Sequence, residues 1–480
     1  MKRIKWGHRN LGMRGAALFQ FGSKYISMGA QVVITAVLAR LITPADFGLV
    51  AIVSVFTALF SLFSDMGIGN AIVQYQDLVE EDYGSLFGFS IVMAVTLTAG
   101  FCAISPLIAM FYSDSRLIRL CCAASPTLFF STLNMVPEGL MLKGKRFDLI
   151  GIRLVVATII SGVTAITMAL TGWGAVALIL QTAMSSLVVL VWNFVSRPIR
   201  HISFHFMKPL KKIFSYSAYQ FGFTLINYFS RNLDNMLVGR FFGSNQLGYY
   251  DKAYKLTGYP MSAFSSVIGS VIQPYMAEHK DDPDVIFDCF MRVEKLLSLI
   301  GVAIAAVFFC ASGEIVDVLY GPDWNPSVPA FAVLSISVYF QMVGNPSGAF
   351  FQSLSRTDYM FRVGLINTGI TLTGLAAGLI GGSILTVAYG VAVAFCLHIV
   401  SIVYYLLHLG FGKSWKCLEA FLPELIVGVV AITVCQIIFS FVSLPLIPSL
   451  ICKIFLVISV LFVGYWRFDQ LKYLKSLLHR

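Results

Sequence analysis

The sequence predicts an all-α polytopic membrane protein of about fourteen transmembrane helices, with two six-helix lobes around a central cavity and two further helices at the C-terminus. Three observations support this fold class. Apolar residues make up 58% of the 480 residues and charged residues only 12%, about half the charged share of a soluble protein. Apolar windows recur along the whole chain, and the first window resembles the seventh. This composition excludes a soluble enzyme, a nucleic-acid-binding protein and a secreted disulfide scaffold as descriptions of the chain.

Fourteen apolar windows have the length of a membrane-spanning helix, which needs about 20 residues. The connections between them are short, so the sequence predicts no folded domain outside the membrane. The windows are 16–39, 47–64, 84–110, 117–136, 152–170, 173–195, 214–242, 257–277, 296–316, 329–351, 363–382, 384–407, 421–441 and 446–465.

The distribution of Lys and Arg predicts the orientation of these spans. With the N-terminus in the cytoplasm, 25 of the 34 basic residues lie on the cytoplasmic side, 6 on the opposite side and 3 inside spans. Such an excess of basic residues is typical of cytoplasmic loops. We therefore expect both termini in the cytoplasm, and we read the net charge of +10 as this bias rather than as a nucleic-acid-binding surface.

A repeat relates the two halves of the chain. A shift of 200 residues aligns Gln20 with Gln220 and Arg40 with Arg240, and further along a shift of 209 aligns Arg153 with Arg362. The repeat unit contains six helices, an even number, so both halves face the same way in the membrane. The predicted parts are a cytoplasmic N-terminus (1–15), an N-lobe (16–200), a C-lobe (201–410), and spans 13 and 14 with a cytoplasmic tail (411–480).

The first and seventh spans each carry a stripe of polar residues at helical spacing. An ionised side chain at the bilayer centre costs about 2.5–3.5 kcal/mol even on the insertion scale, so we expect these stripes to line the cavity rather than to face lipid. The alternative is that they only form hydrogen bonds with neighbouring helices. The candidate substrate-binding residues are Gln20, Lys24 and Gln31 on the first span and Gln220, Asn227, Arg231 and Asp234 on the seventh.

Other motifs are weaker. Asp282 and Asp284 have the spacing of a D-x-D metal motif, but Asp282 before a proline suits a helix N-cap better. His201 and His205 lack the further ligands of a metal site. The G-x-x-x-G spacings at 84–88 and 374–378 favour close helix packing.

The sequence contains no Walker A motif and no nucleophile elbow. We therefore predict no cofactor and no hydrolysis of ATP by this chain. Transport energy would then come from a proton or sodium gradient, or from consumption of the product.

Several stretches resemble the polysaccharide exporters, the Wzx-like flippases of the multidrug/oligosaccharidyl-lipid/polysaccharide (MOP) superfamily, of the lipopolysaccharide, colanic acid and teichuronic acid type. These stretches are 38–48 (LARLITPADFG), 65–69 (DMGIG), 234–243 (DNMLVGRFFG), 247–250 (LGYY) and 319–324 (LYGPDW). The resemblance implies alternating access that carries an undecaprenyl-diphosphate-linked oligosaccharide from the cytoplasmic to the periplasmic leaflet of the bacterial inner membrane. It also implies cationic cavity residues on spans one and seven, and Lys24 and Arg231 match those places.

The partners implied are membrane lipid, the lipid-linked oligosaccharide, and a polysaccharide polymerase with its chain-length regulator. Two alternatives stay open. One is a multidrug or peptidoglycan-precursor exporter, which differs in substrate and not in architecture. The other is an enzyme, a membrane polysaccharide polymerase, which a long periplasmic loop with paired carboxylates or an arginine cluster would favour; no such loop is predicted.

Overall fold

The structure is a computed structural model that describes residues 13–470 apart from 66–67, 76, 200, 268–275 and 277–281. For residues 13–14, 16–18, 65, 70, 208–224, 226–227, 229–231, 264–267 and 416–417 it describes the backbone alone. All the secondary structure assigned within these residues is helical, as the sequence predicts.

Eight α-helices fill the first half of the chain. Lipid offers no hydrogen-bond partners, so an apolar segment that crosses a membrane must pair its backbone groups internally, and a helix does this. They are α1 (Met13–Leu41), α2 (Pro44–Asp65), α3 (Ile68–Gln74), α4 (Glu80–Tyr112), α5 (Arg116–Lys143), α6 (Phe147–Leu170), α7 (Ala175–Ser196) and α8 (Met207–Val267), the last with a kink at Gly243 (φ 81°, ψ 173°).

The second half adds eight α-helices and three short segments of other helical type. The α-helices are α9 (Pro283–Cys310), α10 (Ser312–Leu319), α11 (Val328–Gly344), α12 (Ser347–Ser353), α13 (Thr357–Ile380), α14 (Ile384–Ile402), α15 (Leu422–Phe441) and α16 (Leu446–Arg467). The segments Pro322–Ser327 and Trp415–Phe421 are 3₁₀-helices, and Val403–Gly410 continues α14 as a π-helix.

Twelve segments in the described part of the chain are long and apolar enough to cross a membrane. They coincide one for one with twelve of the fourteen predicted windows and confirm a polytopic membrane protein. The remaining windows, 214–242 and 257–277, coincide with α8 and the residues after it, which are only partly described. The total of fourteen therefore stays a prediction.

The chain divides into two compact units, one ending at Arg240 and the other beginning at Phe241. In the first unit α5 packs against α2, α3, α4 and α7, and α6 packs against α1 and α7. In the second unit α9, α11 and α14 pack in series, α13 pairs with α14, and α15 and α16 pack on α9. The lobe boundaries at 200 and 410, and the central cavity, stay predictions.

The two G-x-x-x-G spacings pack in different ways. A Cβ on Gly374 would lie 2.5 Å from the carbonyl oxygen of Gly390, and one on Gly378 would lie 2.6 Å from the Cα of Val387. This confirms close packing between α13 and α14. A Cβ on Gly88 would instead lie 2.0 Å from the carbonyl oxygen of Ser203. In the first unit, therefore, the neighbour is the extended segment after α7 and not another helix.

A buried ion pair attaches the C-terminal hairpin α15–α16 to the rest of the second unit. Lys295 Nζ on α9 lies 2.7 Å from Glu424 Oε2 on α15 and also donates to the carbonyl oxygen of Ala420. The Tyr465 hydroxyl on α16 donates to the Leu299 carbonyl oxygen at 3.0 Å. Removing one partner of a buried pair costs about 3–5 kcal/mol, so this contact fixes the position of the hairpin.

Residues 247–250 and 319–324, two of the stretches that resemble the polysaccharide exporters, pack on each other in the second unit. They lie at the end predicted to face the periplasm. The fully buried Trp324 indole meets the Tyr249 ring edge-on, with centroids 6.0 Å apart, and the Tyr320 ring at 5.5 Å. Lys252 Nζ lies 5.7 Å from the centroid of Tyr320. Residues 243–256 lie between the predicted spans, and there burial lowers the pKa of Lys252 to about 7; the charge of Lys255 also lowers it, and Asp251 raises it.

Candidate functional site

One face of α1 carries the polar residues predicted to bind substrate. Gln20 is exposed, and Lys24 and Gln31 are half-buried. Gln31 Nε2 donates to Thr35 Oγ1, one turn further along, at 3.3 Å. The most exposed large apolar side chains of α1, Ile26 at 61% and Val33 at 63%, lie on another side of the helix. The polar residues thus form a face distinct from the one that suits lipid.

Close packing against α6 holds this helix in place. Ser23 is buried at the contact, where a Cβ on Gly151 would lie 2.7 Å from its hydroxyl oxygen. Three turns further along α1, a Cβ on Gly162 of α6 would lie 2.2 Å from Ile34 Cδ1. Because Lys24 follows Ser23 directly, this contact also fixes the position of Lys24 relative to α6. Lys24 lies 17 residues before the end of α1 at Leu41, or about 26 Å at 1.5 Å per residue.

The second predicted stripe lies on α8, which has different neighbours. Asp234 is 7% exposed. On its two sides the Tyr228 hydroxyl donates to the Val55 carbonyl oxygen of α2, and the Tyr112 hydroxyl of α4 donates to the Met236 carbonyl oxygen at 3.2 Å. Arg240 lies over the Phe111 ring, 5.4 Å from its centroid. This part of α8 therefore packs on α2 and α4, whereas α1 packs on α6.

Three predicted residues of this stripe, Gln220, Asn227 and Arg231, have side chains outside the described residues. Their backbone is helical, so they share α8 with Asp234. Their predicted role, and the meeting of Lys24 and Arg231 in one cavity, stay predictions.

A polar network near the predicted cytoplasmic ends of three helices was missed by sequence reasoning. Arg153 on α6, 7% exposed, donates from Nη2 to Glu138 Oε1 on α5 at 3.0 Å and from Nη1 to Asn193 Oδ1 on α7 at 2.7 Å. Asn193 Nδ2 donates to Asn134 Oδ1 and to Glu138 Oε2, both at 2.8 Å. A buried guanidinium with these charge-assisted hydrogen bonds ties α5, α6 and α7 together.

Sequence reasoning left two residues of this network outside the helices. Window 117–136 stops before Pro137, whereas α5 continues through that proline to Lys143. The helix therefore includes Glu138, one turn after Asn134. Arg153 was counted as a residue of a cytoplasmic loop, although it lies in the second turn of α6.

The weaker motifs have structural roles where they are described. Asp282 caps α9, because its Oδ1 accepts the Val285 backbone N–H at 3.2 Å and Pro283 begins the helix. His201 and His205 are exposed. Among the described residues no group of three or more His, Cys, Asp or Glu side chains could hold a metal ion.

Comparison with known proteins gives a consistent result. Residues 37–329 match the family described as "Polysaccharide biosynthesis protein". The chain is 26% identical over 383 residues to the teichuronic acid biosynthesis protein TuaB of Bacillus subtilis, covering 78% of this chain and 79% of that protein. It is 25% identical over 364 residues to the lipopolysaccharide biosynthesis protein WzxC of Escherichia coli, covering 74% of each.

Solved structures match over a larger share of the chain. The lipid II flippase MurJ in an inward closed conformation matches with a TM-score of 0.76 at 13% identity, covering 94% of this chain and 99% of that one. An inward-facing multidrug transporter of the MATE family matches with a TM-score of 0.62 at 14% identity, covering 88% and 99%. At these identities the likeness establishes a shared fold, that of MurJ and the MATE transporters.

Proposed function

The chain belongs to the polysaccharide biosynthesis protein family, and on that premise we propose that it is a flippase for surface polysaccharide synthesis. It carries undecaprenyl-diphosphate-linked oligosaccharide units from the cytoplasmic to the periplasmic leaflet by alternating access. The named relatives support this proposal, because they act in teichuronic acid and lipopolysaccharide biosynthesis and, for the transport protein ExoT of Rhizobium meliloti, in succinoglycan biosynthesis.

The observation that carries the proposal is the polar face of α1. A headgroup of sugars and a diphosphate cannot cross hydrocarbon without partners for its polar groups. Gln20, Lys24 and Gln31 supply donors and a positive charge along one face of a helix whose most exposed large side chains are apolar. An ammonium group attracts phosphate oxygens, and amide side chains donate to and accept from sugar hydroxyl groups.

We propose transport without chemical conversion of the substrate, driven by an ion gradient. The name of ExoT as a transport protein supports the first part of this statement. A polysaccharide polymerase and a chain-length regulator are proposed as the proteins that use the translocated unit.

Deletion of the gene in its own host tests the function. We expect surface polysaccharide to be lost and the lipid-linked unit to accumulate in the cytoplasmic leaflet, where an impermeant periplasmic glycan-modifying reagent cannot reach it. Complementation with the full chain should restore both. If the lipid-linked unit reaches the periplasmic leaflet normally and only its polymerisation stops, the protein is a polymerase and the proposal is wrong.

A second measurement separates this substrate from a peptidoglycan precursor. The deletion strain should keep normal cell shape and normal lipid II turnover, because the proposed cargo serves a surface polymer. Accumulation of lipid II in place of the oligosaccharide precursor would assign the protein to peptidoglycan synthesis.

A further inference from the structure

The second unit contains a buried carboxylate that the proposed transport path does not use. Glu294 lies on α9 and is 2% exposed. Its Oε2 has no hydrogen-bond partner among the described residues. A carboxylate this deeply buried, with one oxygen unpartnered, is unfavourable when ionised, because it loses hydration that nothing replaces at that oxygen.

Polar side chains of α9, α11, α15 and α16 form a hydrogen-bonded network on this part of α9, and Tyr339 lies within electrostatic reach of both Glu294 and Glu424. On α9 itself Lys295 follows Glu294, and Ser298 lies one turn further along. The Ser298 hydroxyl donates to Glu424 Oε1 of α15 at 2.9 Å and lies 3.3 Å from the hydroxyl oxygen of Tyr339 on α11. On α16, Tyr465 donates to a backbone carbonyl oxygen of α9.

The charges in this cluster do not balance without a proton. The cluster contains two buried carboxylates, Glu294 and Glu424, and one ammonium group, that of Lys295. Lys295 Nζ lies 2.7 Å from Glu424 and is itself 7% exposed at its side chain, so its charge is already matched. The tyrosine and serine hydroxyl groups are neutral. The cluster is therefore neutral only when Glu294 holds a proton.

We propose that Glu294 is a proton-binding site of the second unit, and that its proton is the coupling ion for transport. This inference rests on the proposed function for its second part only. A change of conformation that admits water to this part of α9 would favour the ionised form of Glu294 and so release the proton.

Infrared spectroscopy tests proton binding without any transport substrate. The full chain, purified into liposomes, should show a protonated-carboxyl carbonyl band that disappears as the pH is raised. The variant Glu294→Gln should lack this band, and Glu419→Gln, an exposed glutamate near the start of α15, should keep it. Glutamine has the shape of the protonated acid, so we expect the variant to fold, with unchanged thermal unfolding at acidic pH. A wild-type band that Glu294→Gln does not remove, or one that no pH alters, would overturn the site.

A transport measurement tests the coupling. Inverted membrane vesicles loaded with the lipid-linked oligosaccharide should translocate it faster when a proton gradient is imposed. Glu294→Gln should lose this stimulation, by about tenfold or more, while Glu419→Gln should retain it. Equal stimulation of Glu294→Gln and the wild type would overturn the coupling role. If the wild type itself translocates nothing, the proposed function fails, and the infrared result alone then decides the proton site.

Discussion

At the scale of single residues, the informative side chains are the charged ones, because their burial in a membrane costs free energy. Lys24 is half-buried on a helix whose exposed apolar residues lie elsewhere. Lys24 lies five residues after Phe19, where its span begins, about 7.5 Å at 1.5 Å per residue, and a long lysine stem can carry its ammonium group several ångströms along a surface. Its charge therefore lies near the predicted cytoplasmic entrance of the first unit, where a phosphate is the partner that the proposed cargo offers.

Replacing Lys24 tests this role. Lys24→Gln should reduce export at least tenfold, because the amide keeps the hydrogen bonding but removes the charge, and Lys24→Arg should retain most of it. Surface polysaccharide in the complemented deletion strain, at equal protein level, is the measurement. Lys145→Gln, which alters an exposed lysine in the loop between α5 and α6, is the matched control and should export normally. Normal export by Lys24→Gln would remove Lys24 from the site.

The pair Arg231 and Asp234 gives a second residue prediction, with a double substitution that separates two roles. If Arg231 meets the phosphate, Arg231→Ala should lose export, and the Arg231→Ala, Asp234→Ala double variant should lose it too. If the two residues only neutralise each other, each single variant fails and the double variant exports. Export by the double variant would therefore exclude Arg231 from the binding site.

Sequence reasoning could find isolated polar residues in apolar windows but could not find the Arg153 network. Lys24 is conspicuous because it interrupts an apolar stretch. Arg153, Glu138 and Asn193 each lie near a window edge, where polar residues are ordinary, and only packing brings them together. Their grouping depends on contacts among three helices, which no local pattern contains.

At the scale of helices, glycine contacts show where spacing predicts packing and where it does not. A Cβ on Gly390 of α14 would lie 2.0 Å from the Gly374 carbonyl oxygen of α13. The same spacing at Gly84 and Gly88 instead admits the backbone of the segment after α7, with Ser203 donating its N–H to the Gly84 carbonyl oxygen at 3.3 Å. A small-residue spacing predicts a close neighbour but not its kind.

The α13–α14 contact supplies a stability prediction with an internal control. Gly390→Ala should lower stability by about 1–3 kcal/mol, the usual cost of forcing extra volume into a packed contact. Gly369→Ala on α13 meets no atom within 4 Å, and it should raise stability by up to about 1 kcal/mol through helix propensity. Thermal unfolding of both variants in detergent is the measurement. A Gly390→Ala variant as stable as the wild type would show that the two helices can separate without cost.

The buried side chain of Lys252 predicts how the stability of the protein depends on pH. Its pKa of about 7 in the folded chain lies below the ordinary value of about 10.4, so the unfolded chain binds the proton first as the pH falls. This group's contribution to stability is therefore greatest above about pH 10, decreases towards pH 7 and is constant below it. Lys252→Met should remove that slope from the melting temperature measured between those pH values. An unchanged slope would show that other groups cause it.

At the scale of the whole molecule, apolar length predicted the architecture well because the bilayer imposes the same length on every span. Twelve windows coincide with twelve observed helical segments. The repeat that relates the halves stays a prediction, which rests on aligned positions such as Gln20 and Gln220. Helix ends were less predictable, since proline is tolerated inside membrane helices; Pro106, Pro126 and Pro137 all lie within α4 or α5.

Orientation is the prediction that concerns the whole molecule, and two adjacent loops test it. The α5–α6 loop contains Lys145 and Arg146, whereas the α6–α7 loop around Gly172 contains no basic residue. The excess of basic residues predicts that the first loop lies in the cytoplasm and the second in the periplasm. Because α6 separates them with 24 residues, enough to cross the bilayer, reporters fused after Lys145 and after Gly172 must lie on opposite sides.

We expect a cytoplasm-active fluorescent reporter to work only after Lys145 and a periplasm-active phosphatase only after Gly172. The reverse pattern would invert the orientation and place the polar end of α9 with Glu294 on the periplasmic side; equal signals would show that α6 does not cross the membrane.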